Sequence, residues 1–145
     1  MNDWNELYLE VILDHNKNPR NNEELELYTH EAKGHNPLCG DRISIQIMLE
    51  NEKVKEAKFT GSGCAISTAS ASILTETIKG KSRDEVESLF KNFHGLVTGK
   101  EAEIELGKLA IFEGVKKYPA RVKCATLSWH ALMAALEGKE ETTTE

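Results

Sequence analysis

Apolar and polar side chains alternate along residues 42–50, where isoleucine or leucine occupies almost every second position. A period of two is typical of a β-strand with one buried face. Asn51 and Glu52 follow as a predicted hairpin turn, and residues 54–60 return as an antiparallel strand with Phe59 on its buried face. This hairpin is the clearest element that the pattern predicts.

Helices are predicted on both sides of the hairpin. Residues 4–12 carry apolar side chains at i, i+3, i+4, i+7 and i+8, which indicates an amphipathic helix that ends before Pro19. Small side chains over residues 65–74 favour a second helix, which ends at the segment 79–81. A capping box over residues 82–85 predicts the start of a third.

The other elements have weaker signals. Residues 25–33 are interpreted as a strand that ends in the segment 34–37, because apolar side chains alternate there with charged ones. A helix is predicted from Glu101 onward. A last helix is predicted to begin at Cys124 and to end at Gly138.

The length of 145 residues predicts one domain, residues 1–137, followed by a disordered tail, residues 138–145. A net charge of −6 argues against binding to nucleic acid or to an anionic membrane. We also expect no membrane span, because no apolar run is long enough.

Cysteine usage bears on the cellular compartment. The chain has three cysteines at wide spacing, and residues 1–4 show no pattern of a signal peptide. An odd number of cysteines does not favour a disulfide framework. We therefore expect a cytoplasmic protein whose cysteines serve a metal site, a redox site or packing.

Cys64 follows the strand of the hairpin and precedes the small-residue helix. A helix N-terminus favours a thiolate, which is the form that binds metals and attacks sulfur. The alternative is a small buried side chain that only packs.

Upstream, Cys39 and Asp41 are two residues apart, so in an extended chain both point to the same side. Asp41 could instead only satisfy the N–H groups of a turn.

The hairpin relates these residues in space. One of its strands starts just after Cys39 and Asp41, and the other ends just before Cys64. Cys124, at a second predicted helix start, completes a set of three thiols and one carboxylate. Tetrahedral zinc and iron–sulfur clusters both use such donors. No CxxC pair is present, so spacing alone leaves both a metal site and plain packing open.

Four segments together resemble the IscU/NifU N-terminal family of iron–sulfur cluster assembly proteins. The resemblance implies an α/β (α+β) fold of SufE/NifU-like type, in which a small three-stranded antiparallel sheet packs against about five helices. It also implies a metal site at one tip, formed by Cys39, Asp41, Cys64 and Cys124. The matching segments are residues 8–21 (YLEVILDHNKNPRN), 36–43 (NPLCGDRI), 59–67 (FTGSGCAIS) and 122–132 (VKCATLSWHAL).

Two features resemble the SufU branch of that family. Lys123 stands where the cluster-scaffold branch usually has histidine, and residues 96–114 hold an additional segment before the third cysteine. This resemblance implies Zn²⁺ bound by three cysteines and one aspartate, and sulfur accepted from a SufS-type cysteine desulfurase. By the same resemblance Cys39 is the sulfur acceptor, and Arg121 matches an arginine near the site.

Three functional hypotheses follow. The first is a zinc-bound sulfurtransferase that passes persulfide sulfur to a downstream iron–sulfur scaffold or to apo-proteins. The second is a scaffold that assembles a [2Fe–2S] cluster on the same residues. The third is a structural zinc module that presents only a docking surface. Among the ligands, Cys39 is the best candidate to leave the metal, because it lies on a loop beside Gly40.

Overall fold

A four-stranded sheet in the order β3-β2-β1-β4 is the platform of the fold. The computed structural model describes residues 3–144, with side chains from Glu6 onward. Strand β1 pairs antiparallel with β2 and parallel with β4, and β2 pairs antiparallel with β3. The strands are β1 His30–Asn36, β2 Asp41–Glu50, β3 Lys53–Ser62 and β4 Glu141–Thr143.

Helices cover one face of this sheet. Helix α4 packs against β1 and β2, and α2 packs between α4 and α1. The core lies between the sheet and these helices, and within the helix layer the rings of the buried Phe93 and Trp129 stack with centroids 5.4 Å apart. The helices are α1 Asp3–Lys17, α2 Ala65–Ile78, α3 Arg83–Val97 and α4 Pro119–Leu136, and a 3-10 segment spans Gly107–Lys117.

The predicted hairpin is confirmed. Ile43, Ile45 and Ile47 on β2 are buried, as the alternation requires. Asn51 and Glu52 both have positive φ, at 55° and 63°, which is the backbone of a tight two-residue hairpin turn. The mixed α and β composition and the number of helical segments also agree with the sequence prediction.

The capping box is confirmed as well. The Ser82 side chain accepts a hydrogen bond from the backbone N–H of Glu85, and the Glu85 carboxylate accepts one from the backbone N–H of Ser82. These bonds satisfy two of the donors that every helix N-terminus leaves free. Helix α3 therefore begins where the sequence indicates.

The sheet differs from the prediction at two places. The first strand runs over His30–Asn36 rather than residues 25–33, so the segment expected to end it belongs to it. A fourth strand, Glu141–Thr143, comes from the tail that was predicted to be disordered. The backbone N–H of Lys33 donates to the carbonyl of Glu140, and this pairing along β1 orders the tail.

Other differences concern single residues. The helix predicted from Glu101 is a 3-10 segment that starts at Gly107, and Ile104 is exposed. His15, near the end of α1, is fully buried, and its ring is hydrogen-bonded to the hydroxyl of Ser72 on α2. The predicted packing of Trp4 lies outside the described side chains. Within the described residues, no helix combines the length and apolarity needed to cross a membrane.

Candidate metal centre

Three elements converge at one end of the sheet. The loop after β1 carries Cys39, and β2 begins at Asp41. Strand β3 ends at Ser62, whose register partner on β2 is Arg42, so the chain that leaves β3 passes beside Asp41. Cys64 then caps the N-terminus of α2. The prediction that the hairpin brings Cys64 close to Asp41 is confirmed, because the backbone N–H of Cys64 donates to the Asp41 carboxylate.

The tightest group comprises Cys39, Asp41 and Cys124, whose ligand atoms all lie within 4.8 Å of one another. The two sulfur atoms of Cys39 and Cys124 are 3.4 Å apart. Cys39 is exposed, whereas Cys124 and Asp41 are buried. The group therefore has one accessible thiol above a buried thiol and a buried carboxylate.

Asp41 is held by two hydrogen bonds. Its Oδ1 accepts from the backbone N–H of Cys64 at 2.8 Å, and its Oδ2 accepts from Nδ2 of Asn36 at 3.1 Å. Asn36 Nδ2 also lies 3.6 Å from the sulfur of Cys124, and Asn36 Oδ1 accepts from the hydroxyl of Thr144. A buried carboxylate needs such partners. Asn36 thus links the tail to the site.

Cys64 lies at the edge of the group and beside Cys124. Its sulfur accepts from the backbone N–H of Ser67 at 3.4 Å, which is the bond of a helix N-cap. A hydrogen bond from the Cys124 thiol, together with that of Ser67, lowers the pKa of Cys64 to about 6. The expectation of a thiolate-favouring position at Cys64 agrees with this direction.

Cys124 does not open a helix. Helix α4 begins at Pro119, so Cys124 lies one turn inside it, and the helix N-terminus does not act on its sulfur as predicted. The pKa of the Cys124 thiol is raised. The first cause is the hydrogen bond that this thiol donates to the sulfur of Cys64, and the second is burial. Of these two neighbouring thiols, Cys64 therefore loses its proton more readily and is the better thiolate.

Arg121 lies at the rim of the site in the first turn of α4. It is exposed, and its guanidinium carbon is 4.4 Å from the centroid of the Tyr118 ring.

Tyr8 of α1 also faces this region. Burial raises the pKa of its phenol, and the charge of Arg121 lowers that pKa. The charges of Cys64 and Cys124 raise it. Tyr8 is a residue that the sequence analysis did not single out.

The residues present fit a bound metal ion. Three thiols and one carboxylate are donors that zinc takes in tetrahedral sites. Two thiolates on one zinc lie about 3.8 Å apart, given a Zn–S bond of about 2.3 Å, and the 3.4 Å between Cys39 and Cys124 is close to that spacing. A side chain at Gly63 would fill this space, since its Cβ would lie 2.9 Å from Asp41 Oδ1. The buried hydroxyl of Ser67 also has no partner there.

Comparison with known proteins agrees with this geometry. A sequence profile of the NifU-like N-terminal domain matches residues 7–125 of the chain. The chain belongs to the NifU-like N-terminal domain family.

Two relatives within the NifU-like family carry different functional names. The chain is 47% identical over 137 residues to the zinc-dependent sulfurtransferase SufU of Bacillus subtilis, which covers 93% of this chain and 92% of that protein. It is 40% identical over 135 residues to the iron–sulfur cluster assembly scaffold protein IscU of Streptococcus pyogenes, over 92% of this chain and 84% of that protein.

Solved structures place the chain in the same NifU-like fold. A putative iron–sulfur cluster assembly scaffold protein for the SUF system from Fervidobacterium islandicum superposes with a TM-score of 0.85 at 36% identity, over 90% of this chain and 97% of that one. A NifU-like protein from Brucella abortus has a TM-score of 0.82 at 21% identity, over 92% and 94% of the two chains, and supports the fold alone.

Besides Tyr8, sequence reasoning missed two residues of this NifU-like site. Asn36 lies inside the matching segment 36–43 but was considered only as part of the segment that ends a strand. The available signal was a side-chain amide directly before Pro37 and three residues before Cys39. Thr144 had none, because nothing local in the tail indicates that its hydroxyl contacts Asn36.

Proposed function

We propose that this NifU-like protein is a zinc-bound sulfurtransferase of iron–sulfur cluster assembly, which accepts persulfide sulfur from a SufS-type cysteine desulfurase. The observation that carries the proposal is the contrast between an exposed Cys39 and a buried Asp41 and Cys124. A sulfur acceptor has to be accessible to the persulfide of another protein, whereas the remaining metal ligands have to be held in a fixed position.

The proposed zinc ligands are Cys39, Asp41, Cys64 and Cys124. Zinc bound there keeps thiols deprotonated and acts as a Lewis acid. The chain itself supplies the frame for these donors. Asn36 orients the carboxylate of Asp41, and the backbone N–H of Cys64 fixes its other oxygen. Such outer contacts set the geometry of metal ligands.

Cys39 is the proposed acceptor because it lies on an exposed loop with open space beside it. Gly40 has a φ of 73° and no atom within 4 Å of the position of a Cβ, and Leu38 is 62% exposed. In the transfer, the Cys39 sulfur attacks the outer sulfur of the desulfurase persulfide. The S–S bond of the donor breaks, the donor cysteine leaves as a thiolate that takes up a proton from solvent, and Cys39 carries the persulfide.

Arg121 is proposed to stabilise the negative charge of the incoming persulfide. Its guanidinium is exposed at the rim, and Tyr118 holds it by a cation–π contact. Its charge acts on Tyr8 together with the charges of Cys64 and Cys124, which supports a position close to the thiols. Arginine suits this role, because it stays charged at every physiological pH.

We propose the cytoplasm as the place of action, and a downstream iron–sulfur scaffold or apo-proteins as recipients of the sulfur. The three cysteines are free thiols, as a reducing compartment requires. The net charge of −6 supports protein partners rather than nucleic acid.

The second candidate is a scaffold that assembles a [2Fe–2S] cluster on the same four residues. The 40% identity to a protein named as an IscU scaffold favours it. Lys123 favours the sulfurtransferase, because the scaffold branch usually has histidine at this position and a lysine ammonium is a poor metal ligand.

Metal and acid-labile sulfide content, measured on protein purified without oxygen or added metal, separates the two candidates. We expect about one zinc per chain and no sulfide, as a four-ligand site requires. Iron with matching sulfide would support the scaffold instead. Cys39→Ser, incubated with a desulfurase and cysteine, should lose the persulfide while it retains zinc, and unimpaired transfer would contradict the proposed acceptor.

A further inference from the structure

The proposed acceptor thiol has a second thiol directly behind it. The sulfur of Cys124 lies 3.4 Å from that of Cys39, with Cys124 only 3% exposed and Cys39 open to solvent. A buried and an accessible sulfur atom are therefore in contact, and Cys124 lies on the protein side of the Cys39 thiol.

We propose that Cys124 is a resolving thiol, which releases the sulfur carried by Cys39 as hydrogen sulfide and closes a Cys39–Cys124 disulfide. This inference rests on the proposed function, because it begins from a persulfide on Cys39. It assigns the protein a further activity, the reductive release of sulfide, beside the transfer of persulfide to a recipient.

The atoms and electrons of the step balance within the chain. Cys124 attacks the inner sulfur of the persulfide, which is the sulfur of Cys39, and a new S–S bond forms between the two residues. The bond between the inner and outer sulfur breaks, and the outer sulfur leaves with the electron pair. It takes the proton of Cys124 and departs as hydrogen sulfide. The outer sulfur of the persulfide is reduced and the sulfur of Cys124 is oxidised, while the sulfur of Cys39 keeps the oxidation state that it had in the persulfide.

The geometry favours attack on the inner sulfur. Thiol–disulfide exchange requires access to the attacked sulfur and a leaving group that departs easily. Cys124 approaches Cys39 from the protein interior, so the outer sulfur lies on the opposite, solvent side and leaves into water. Hydrosulfide is also a better leaving group than an alkyl thiolate, because hydrogen sulfide is the stronger acid.

Cys64 is the better thiolate of the two, but its position suits this role less than that of Cys124. Its sulfur is not among the ligand atoms of Cys39, Asp41 and Cys124 that all lie within 4.8 Å of one another, and it accepts the hydrogen bond of the Ser67 N–H. Closing the Cys39–Cys124 disulfide also removes two of the four proposed metal donors. Loss of metal binding is therefore a second consequence, and a dithiol or other thiol reductant is needed to reset the site.

The test uses the full chain without oxygen and with a zinc chelator, so that Cys124 is free. Cys39 is loaded either with inorganic polysulfide or with a desulfurase and cysteine, and excess donor is removed. Released sulfide is then followed without reductant, and disulfides are located by peptide mass spectrometry. We expect one sulfide for each persulfide lost, one Cys39–Cys124 disulfide, and a rate that does not depend on protein concentration.

The Cys124→Ser variant should retain the persulfide on Cys39. It should release sulfide at least about tenfold more slowly than the unaltered chain does. The proposal is overturned if this variant releases sulfide at the rate of the unaltered chain, if Cys64→Ser alone stops the release, or if the disulfide joins other cysteines or two chains. If Cys124→Ser folds poorly, the location of the disulfide in the unaltered chain still tests the proposal. Failure of the proposed function is distinct, since the desulfurase would then load no persulfide although polysulfide does. Loading by neither donor would overturn both.

Discussion

The backbone N–H of Cys64 donates a 2.8 Å hydrogen bond to Oδ1 of Asp41. One proposed metal ligand is thereby held by the main chain of another. Because Asp41 opens β2 and Cys64 caps α2, the bond joins the sheet to the helix layer at the site. The position of the proposed metal ligands and the contact between sheet and helix therefore depend on the same hydrogen bond.

Two substitutions at Asp41 separate its roles. Asp41→Asn keeps an oxygen that accepts from Cys64 but removes the charge and sets an NH2 group against Nδ2 of Asn36, so we expect zinc affinity to fall on the order of tenfold or more with a smaller loss of stability than in Asp41→Ala. Asp41→Ala also leaves the donors of Cys64 and Asn36 unpaired, which costs about 1–3 kcal/mol. Competition titration with a zinc chelator and urea unfolding measure the two effects.

The control is Asp84→Asn, because Asp84 is exposed on α3 and takes no part in the site. It should leave both quantities unchanged. If Asp41→Asn bound zinc as tightly as the unaltered chain, the carboxylate would not be a ligand.

Gly63→Ala tests how tightly the site is packed. The added methyl would lie 2.9 Å from Asp41 Oδ1 and 3.2 Å from Ser67 Cβ, so the carboxylate or the first turn of α2 has to shift. We expect a loss of about 1–3 kcal/mol in the free energy of unfolding and weaker zinc binding. Urea unfolding and zinc competition provide the measurements.

Gly114→Ala is the matched control, since no atom lies within 4 Å of its added Cβ. It should be neutral or slightly stabilising, by about 0.4–1 kcal/mol at most, because alanine restricts the unfolded chain. Equal effects of the two alanines would contradict the close packing described at Gly63.

Thr144→Val tests the link between the tail and the site. The hydroxyl of Thr144 donates to Oδ1 of the buried Asn36, whose amide in turn donates to Asp41. Loss of this bond should cost about 0.5–1.5 kcal/mol and lower zinc affinity several-fold, because Asn36 is then less well oriented. Zinc exchange, followed with a colorimetric chelator, is the sensitive readout.

Thr142→Val on the same strand is the comparison, because its side chain has no hydrogen bond within the part of the chain that the structure describes. It should keep the zinc exchange rate of the unaltered protein. A Thr144→Val variant with unchanged exchange would show that the tail does not act on the site.

His15 should make stability depend on pH. Burial lowers its pKa below 6.5, and the charges of Arg20 and Lys108 lower it further, against the opposing effect of Glu76 and Asp14. The unfolded chain therefore binds a proton more readily than the folded chain does. Its contribution to stability is complete above pH 6.5 and is lost as the pH falls towards and below the folded pKa.

The measurement is urea unfolding at pH 8 and at pH 5.5, for the unaltered chain and for His15→Gln. We expect a smaller loss of stability on acidification in the variant. Burial also lowers the pKa of His30 and His130, so the difference between the two proteins isolates His15. Identical pH dependence in both would contradict a titrating, buried His15.

Local patterns were sufficient for the central hairpin and for the helix starts beside it. Alternation along β2 depends only on which side chains face the core, and a two-residue turn restricts where β3 can pair. The capping box at Ser82 and the N-cap at Cys64 likewise involve neighbours within one turn of chain. The placement of Cys39, Asp41 and Cys64 followed from these elements.

Long-range contacts decided the rest. Whether His15 is buried depends on Ser72 of another helix, and whether the tail is ordered depends on hydrogen bonds that Lys33 and Asn36 offer to it. A strand of three residues has no periodicity of its own to read. By itself the sequence determined the hairpin and the residues that can bind a metal. Only the tertiary structure decided that Cys124 lies inside its helix with its sulfur against Cys39, because packing between distant elements sets that distance.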